Sequence, residues 1–110
     1  MTNPQTARTR ELNDRFRQTG FGGRLMLTHG ITNLPPRLML DLMNRVQTFK
    51  DFTPDNDPHG EHDFGALTIE GRKVFWKIGY YAHDMMHGSE DSADPAKTVR
   101  VMTIMLAEEY

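Results

Sequence analysis

Glu70-Gly71 lies between two runs rich in β-branched and aromatic residues, Phe64-Gly65-Ala66-Leu67-Thr68-Ile69 and Val74-Phe75-Trp76-Lys77-Ile78-Gly79-Tyr80-Tyr81. Glycine at the second position of a two-residue turn marks a hairpin whose twist suits its strands. Such a turn fixes register: residue i pairs with residue 141 − i, and a slip of one would exchange the faces of a strand. A central hairpin over about 64–81 is therefore predicted, with His62 opposite Gly79 and Pro58 opposite His83. The loop that leads into the hairpin and the segment His83-Asp84-Met85-Met86-His87 that leaves it are then expected at the same end.

That leading loop, Phe52 to Gly65, is the densest polar stretch of the chain. Pro54 and Pro58 each lack a backbone donor and exclude a regular strand ladder. Asp55, Asn56 and Asp57 can hydrogen-bond nearby backbone as Asx turns, so the loop can be ordered without a ligand.

Elsewhere the pattern is helical or strand-like in short blocks. Ala7 to Arg17 is a short helix with Leu12 and Phe16 on one face, following six residues expected to fray. Gly20-Phe21-Gly22-Gly23 ends it as a turn; a phosphate loop is excluded because no helix or GK[ST] follows. Arg24 to Thr28 reads as a first strand. Pro36 starts a helix over 36–49 with Leu38, Met39, Leu42, Met43, Val46 and Phe49 on one face. Its methionines are core filler at helical spacing. At the C-terminus two signals conflict. Asp94-Pro95 resembles a helix cap, whereas Val99, Val101, Thr103 and Ile104 are β-branched. The expectation is a helix over 95–108. The fold class is thus α+β, a small antiparallel sheet packed by two main helices and a short N-terminal one.

At 110 residues the chain is one domain, and its 37% hydrophobic residues can bury a core. Zero Cys excludes a disulfide framework and any thiolate metal site. No apolar run approaches a secretory signal or a membrane span, which leads to the expectation of a soluble cytoplasmic protein that does not bind membrane. The net charge of −2 hides an asymmetry: residues 1–50 carry eight bases against three acids, and residues 51–110 five against twelve. Four basic residues, Arg8, Arg10, Arg15 and Arg17, cluster in the first helix. The overall pI of about 6.2 nevertheless makes direct nucleic-acid binding the weaker expectation.

Three chemistries can be set against the loop. A calcium loop using Asp55, Asp57, His59 and Gly60 needs a bidentate Glu at its twelfth position, where Ala66 stands. A divalent-metal site could draw on His59, His62, His83 and His87 with carboxylates, since imidazole and carboxylate suit zinc, iron or manganese, although no spacing here matches a specific motif. General acid–base catalysis could use His62 with Glu61 or Asp63, given a pocket. Asp63-Phe64-Gly65 matches a kinase metal-binding tripeptide by chance, because the other kinase elements are absent.

The run Phe52 to Gly65, then Phe75-Trp76-Lys77-Ile78, Asp94-Pro95 and Arg100 to Ala107, resembles a family of short bacterial proteins, domain of unknown function 3768, over Glu11 to the C-terminus. The resemblance implies a single cytoplasmic domain, often encoded on plasmids and mobile elements, and supplies no activity, cofactor or catalytic residue. The family pattern has an acidic residue where this chain has Gly79, usually an aromatic at His59, and no fixed His at His83 or His87. The polar cluster left in common is Asp55, Asp57, Glu61, His62 and Asp63. The expected function is that of a small non-enzymatic accessory protein. It would bind a partner protein through an acidic loop face, and no cofactor is expected. The alternatives are a metal-binding protein or metal-dependent hydrolase centred on His62, and a modulator of host defence or plasmid maintenance of the anti-restriction or anti-CRISPR type.

Overall fold

A computed structural model describes residues 3–110. In chain order it has helix α1 (Pro4–Thr19), strand β1 (Arg24–Leu27), the single-turn helix α2 (His29–Thr32), helix α3 (Pro36–Gln47), strands β2 (Phe64–Ile69), β3 (Arg72–Tyr81) and β4 (Val99–Leu106), and a terminal 3₁₀ turn (Ala107–Glu109). The four strands form one sheet in the order β1-β4-β3-β2. The architecture is a small α+β fold, as the sequence predicts.

The hairpin register holds throughout: Phe64 pairs with Lys77, Ala66 with Phe75 and Ile69 with Arg72. Glu70 and Gly71 both take positive φ, 44° and 80°, which a two-residue hairpin turn of the primed type requires. Helix α3 also forms as expected, burying Leu38, Leu42 and Val46 at four-residue intervals.

Two expectations are corrected. The segment 95–108 is not a helix. Asp94 and Pro95 belong to a turn closed by Ala96 N–H on the Asp94 carboxylate and Lys97 N–H on the Asp94 carbonyl, and Val99 to Leu106 is strand β4. β4 lies inside the sheet, paired with β3 on one side and parallel to β1 on the other, so the sheet is mixed, not purely antiparallel. A central strand is apolar on both faces, and its side chains can mimic the spacing of a helix. Here the β-branched residues carried the decisive signal. The N-terminal helix is also longer than expected, sixteen residues from Pro4. Asn3 caps it by accepting from Thr6 N–H at 2.7 Å, with Pro4 at the first helical position. Of the six residues expected to fray, Met1 and Thr2 lie outside the described residues.

Helices α1 and α3 cover one face of the sheet. Phe16, Leu42 and Val46 meet Trp76, Ile78 and Ile104 there, all 2% exposed or less, and each such burial contributes about 1.5–3 kcal/mol. Gly65 is required at this layer: a β-carbon there would sit 2.3 Å from Trp76 Nε1. Polar side chains of α1 are part of the core as well: Thr9, Asn13 and the charged Arg17 recur every fourth residue on its buried face.

Candidate functional site: the braced loop end

The loop reaches the sheet through a turn of its own making. Asn56 accepts from Thr53 N–H and donates to the Asp51 carbonyl at 2.9 Å each, and Asp57 N–H donates to the Thr53 carbonyl. This is the local ordering that an Asx-rich sequence favours. It places Asp57, 9% exposed, where its carboxylate accepts from His62 N–H at 3.1 Å. His62 itself has φ of 55°, a conformation unusual for a non-glycine residue and maintained here by its contacts.

His62 is gripped on several sides. Its Nδ1 lies 2.9 and 3.1 Å from the two Asp14 oxygens; a carboxylate can only accept, so Nδ1 carries the proton. Its Nε2 faces Asp57 at 3.7 Å, beyond hydrogen-bond length. The imidazole stacks on Phe52 with centroids 3.8 Å apart and planes 3° from parallel. Phe52 in turn meets Trp76 edge-on. Arg17, 2% exposed, lies 5.3 Å from the Phe52 ring centre and 5.2 Å from that of Trp76. It pairs with Asp14 at 3.0 Å and donates to the carbonyls of Val46 and Phe49. Asp14 therefore joins the buried cation of α1 to the imidazole of the loop.

A second network lies beside the first. Asn13 donates to the Glu61 carbonyl at 3.0 Å and to the Tyr80 hydroxyl at 2.8 Å, and accepts from Arg100 Nε at 2.8 Å. Tyr80 donates onward to the Glu61 carboxylate at 2.8 Å. Arg100, 2% exposed, also donates to the Ser92 carbonyl and lies 5.4 Å from the Tyr80 ring centre. Burial pushes the Tyr80 phenol well above its ordinary range and, with a smaller contribution from Arg8, lowers Arg100. One side chain of α1 thus ties the loop to β3 and β4.

Of the five shared polar residues, Asp57, Glu61 and His62 are engaged in these networks, while Asp55 is exposed and Asp63 half-buried. Burial pushes the Asp63 carboxyl up, and the neighbouring Glu61 and Asp57 charges add to the shift. The other histidines are held separately. His59 is exposed on the loop, His83 Nε2 lies 2.7 Å from the Ala96 carbonyl, and His87 Nδ1 lies 2.8 Å from Asp84. β3 ends at Tyr81, and Ala82 N–H then closes on the His87 carbonyl, so the chain turns back on itself. His62 is directed at α1 instead, and the four imidazoles do not converge. Among the described residues no group of three or more His, Asp or Glu side chains is spaced to hold a metal ion.

A polar cleft of about 550 Å³ opens between the start of α1 and the loop, lined by Thr6, Arg10, Pro54, Asp57, His59 and His62. An Asp orienting a His is half of a general-base arrangement. Here Nε2 is directed at the buried Asp57, and among the described residues no hydroxyl hydrogen-bonds to the ring. The arrangement can hold a loop rigidly and display carboxylates.

Asp14, Asn13, Arg17, Tyr80 and Arg100 lie outside the loop and carry no motif that marks them as site residues in the sequence. The signal available was the repeat of Thr9, Asn13 and Arg17 at helical period beside Phe16, a polar stripe on the face that must be buried.

No helix among the described residues is long and apolar enough to cross a membrane. No curated protein and no solved structure matches the chain. A family model does match, over residues 27–109, beginning after α1. That covers most of the 110 residues, and the chain belongs to the family described as protein of unknown function (DUF3768).

Proposed function

We propose that this protein is a small non-enzymatic interaction module that docks a basic partner protein at its loop end. One observation carries the reading: Asp51, Asp55, Glu61 and Asp63 have no Lys or Arg partner within 4.0 Å among the described residues. The elevated Asp63 carboxyl points the same way, because neighbouring carboxylates reinforce the effect of its burial. Rigid support favours such a surface, since a preorganised loop loses little conformational entropy on binding. The internal engagement of Asp57, Glu61 and His62 favours docking over catalysis. A role in modulating host defence or plasmid maintenance would follow from the plasmid and mobile-element setting that the family resemblance implies, and would be exercised through such docking.

The test is titration of the protein with oligolysine of about ten residues, a stand-in for a basic protein surface, at low and high salt. Binding that weakens with salt and is lost in the Asp51→Asn, Asp55→Asn double variant is the expected result. Binding that the double variant leaves unchanged, or no binding at low salt, contradicts the reading.

A further inference from the structure

The face of the sheet turned away from α1 and α3 has a different chemistry. Along β3 its side chains run Lys73, Phe75, Lys77, Gly79 and Tyr81, an alternation of cation and ring on one strand. Neighbouring strands add Arg24 and Met26 from β1, Phe64 from β2, and Val101, Thr103 and Met105 from β4, and no outward strand position is acidic. The nearby Glu109 carboxylate is occupied by the Thr28 hydroxyl and the N–H groups of Gly30 and Leu106.

The rings on this face are arranged as a platform. Tyr110 is 70% and Tyr81 39% exposed. Tyr81 lies over Gly79, where a β-carbon would come within 3.0 Å of its ring. Tyr110 meets Phe75 edge-on at 5.6 Å, and Phe64 meets Phe75 at 5.2 Å. Lys77 Nζ lies 5.5 Å from the Tyr110 ring centre and Lys73 Nζ 5.6 Å from that of Phe75. Clefts of about 390 and 620 Å³ flank Tyr81, the second including Arg24, Met26 and Met85. Lys73 and Lys77, four residues apart on one strand, stand about 13 Å from each other with rings between them.

We propose that this open face binds single-stranded nucleic acid, with bases stacked on Tyr81 and Tyr110 and phosphates paired with Arg24, Lys73 and Lys77. Exposed rings interleaved with cations match a chain that alternates unstacked bases with phosphates. A duplex keeps its bases stacked and would leave the rings unused. A second copy of the chain would bring Arg24, Lys73 and Lys77 against their own kind, an unfavourable juxtaposition. The overall pI of about 6.2 reflects acids outside the strand positions of this face, among them Asp51, Asp55, Asp57, Glu61 and Asp63 at the loop end.

The test uses fluorescein-labelled oligothymidylate and oligouridylate of about twelve nucleotides, within the span of such platforms, in anisotropy titrations against the full chain. Three phosphate contacts predict a log–log salt slope near −2, so a tenfold rise in salt weakens binding about a hundredfold. Lys73→Glu with Lys77→Glu should abolish binding at low salt, and Tyr81→Ala or Tyr110→Ala should each weaken it about tenfold. These residues are surface-exposed, and circular dichroism checks that each variant is folded. Absence of binding, or binding indifferent to the lysine changes, overturns the proposal. So does equal competition by oligoglutamate, which would mark an acidic-peptide surface. Sedimentation showing a dimer that the lysine changes disperse would overturn it in favour of self-association.

Discussion

The loop end and the open face of the sheet are both rich in charge and rings, yet they use them in opposite ways. At the loop end the polar atoms are turned inward: Arg17, Asn13 and Arg100 are buried, and His62 and Tyr80 are bound to partners on α1. On the open face the cations and tyrosines lie on the surface, and Lys73, Lys77 and Arg24 have no carboxylate within 4.0 Å among the described residues. The same residue types build structure where burial makes an unmet hydrogen bond costly, and remain available to a ligand where water satisfies them. The loop end is a brace with an acidic rim; the open face is a platform.

That contrast can be broken most forcefully at Arg17. Arg17→Ala removes a buried cation, leaves the Val46 and Phe49 carbonyls and Asp14 without it, and loses contact with Phe52 and Trp76. Chemical denaturation should show a loss of about 3 kcal/mol or more. Asn13→Ala, which leaves Arg100 Nε, the Glu61 carbonyl and the Tyr80 hydroxyl without their amide partner, should lose about 2–3 kcal/mol in the same assay. His62→Ala should lose about 1–2 kcal/mol from the Asp14 bond and the Phe52 stack. On the open face, Lys73→Glu with Lys77→Glu should change stability by no more than about 0.5 kcal/mol. A loss comparable to that of Asn13→Ala would erase the distinction between brace and platform.

A smaller effect sharpens the account of the acidic rim. The Asp63 carboxyl is raised in the folded state, so the folded chain holds its proton more tightly than the unfolded chain does. Its ionisation therefore costs stability, a cost absent below the ordinary value of 3.8 and growing as pH rises through the raised one. Asp63→Asn should stabilise the protein by about 0.5 kcal/mol at pH 7, once solvent screening is allowed for, with the gain vanishing in acid. Thermal melts across that range read the difference.

Legibility in the sequence followed locality. The hairpin was readable because Glu70-Gly71 and the flanking alternation are local signals that fix register, and α3 because Pro36 and the Leu38, Leu42, Val46 spacing act within one helix. Strand β4 was misread because its neighbours β1 and β3, which make it central and apolar on both faces, are remote in sequence. The site was readable only in part. Asp57, Glu61 and His62 were singled out from loop composition, but their partners Asp14, Asn13 and Tyr80 come from other elements brought there by packing. The loop enters the hairpin and the His83–His87 segment leaves it at the end away from Glu70-Gly71, but the pairing of Pro58 with His83 required β3 to run straight past Tyr81. The chain instead folds back through the Tyr81–Gly88 bridge.

The claim that His62 belongs to a brace rests on its bond to Asp14, and a double-mutant cycle isolates that bond. Stabilities of the wild type, Asp14→Asn, His62→Gln and the double variant, measured by denaturant at pH 7, should reveal a coupling of about 1 kcal/mol between the two sites. Changes that add within about 0.3 kcal/mol would mean that the imidazole is not tied to α1, and would contradict the account.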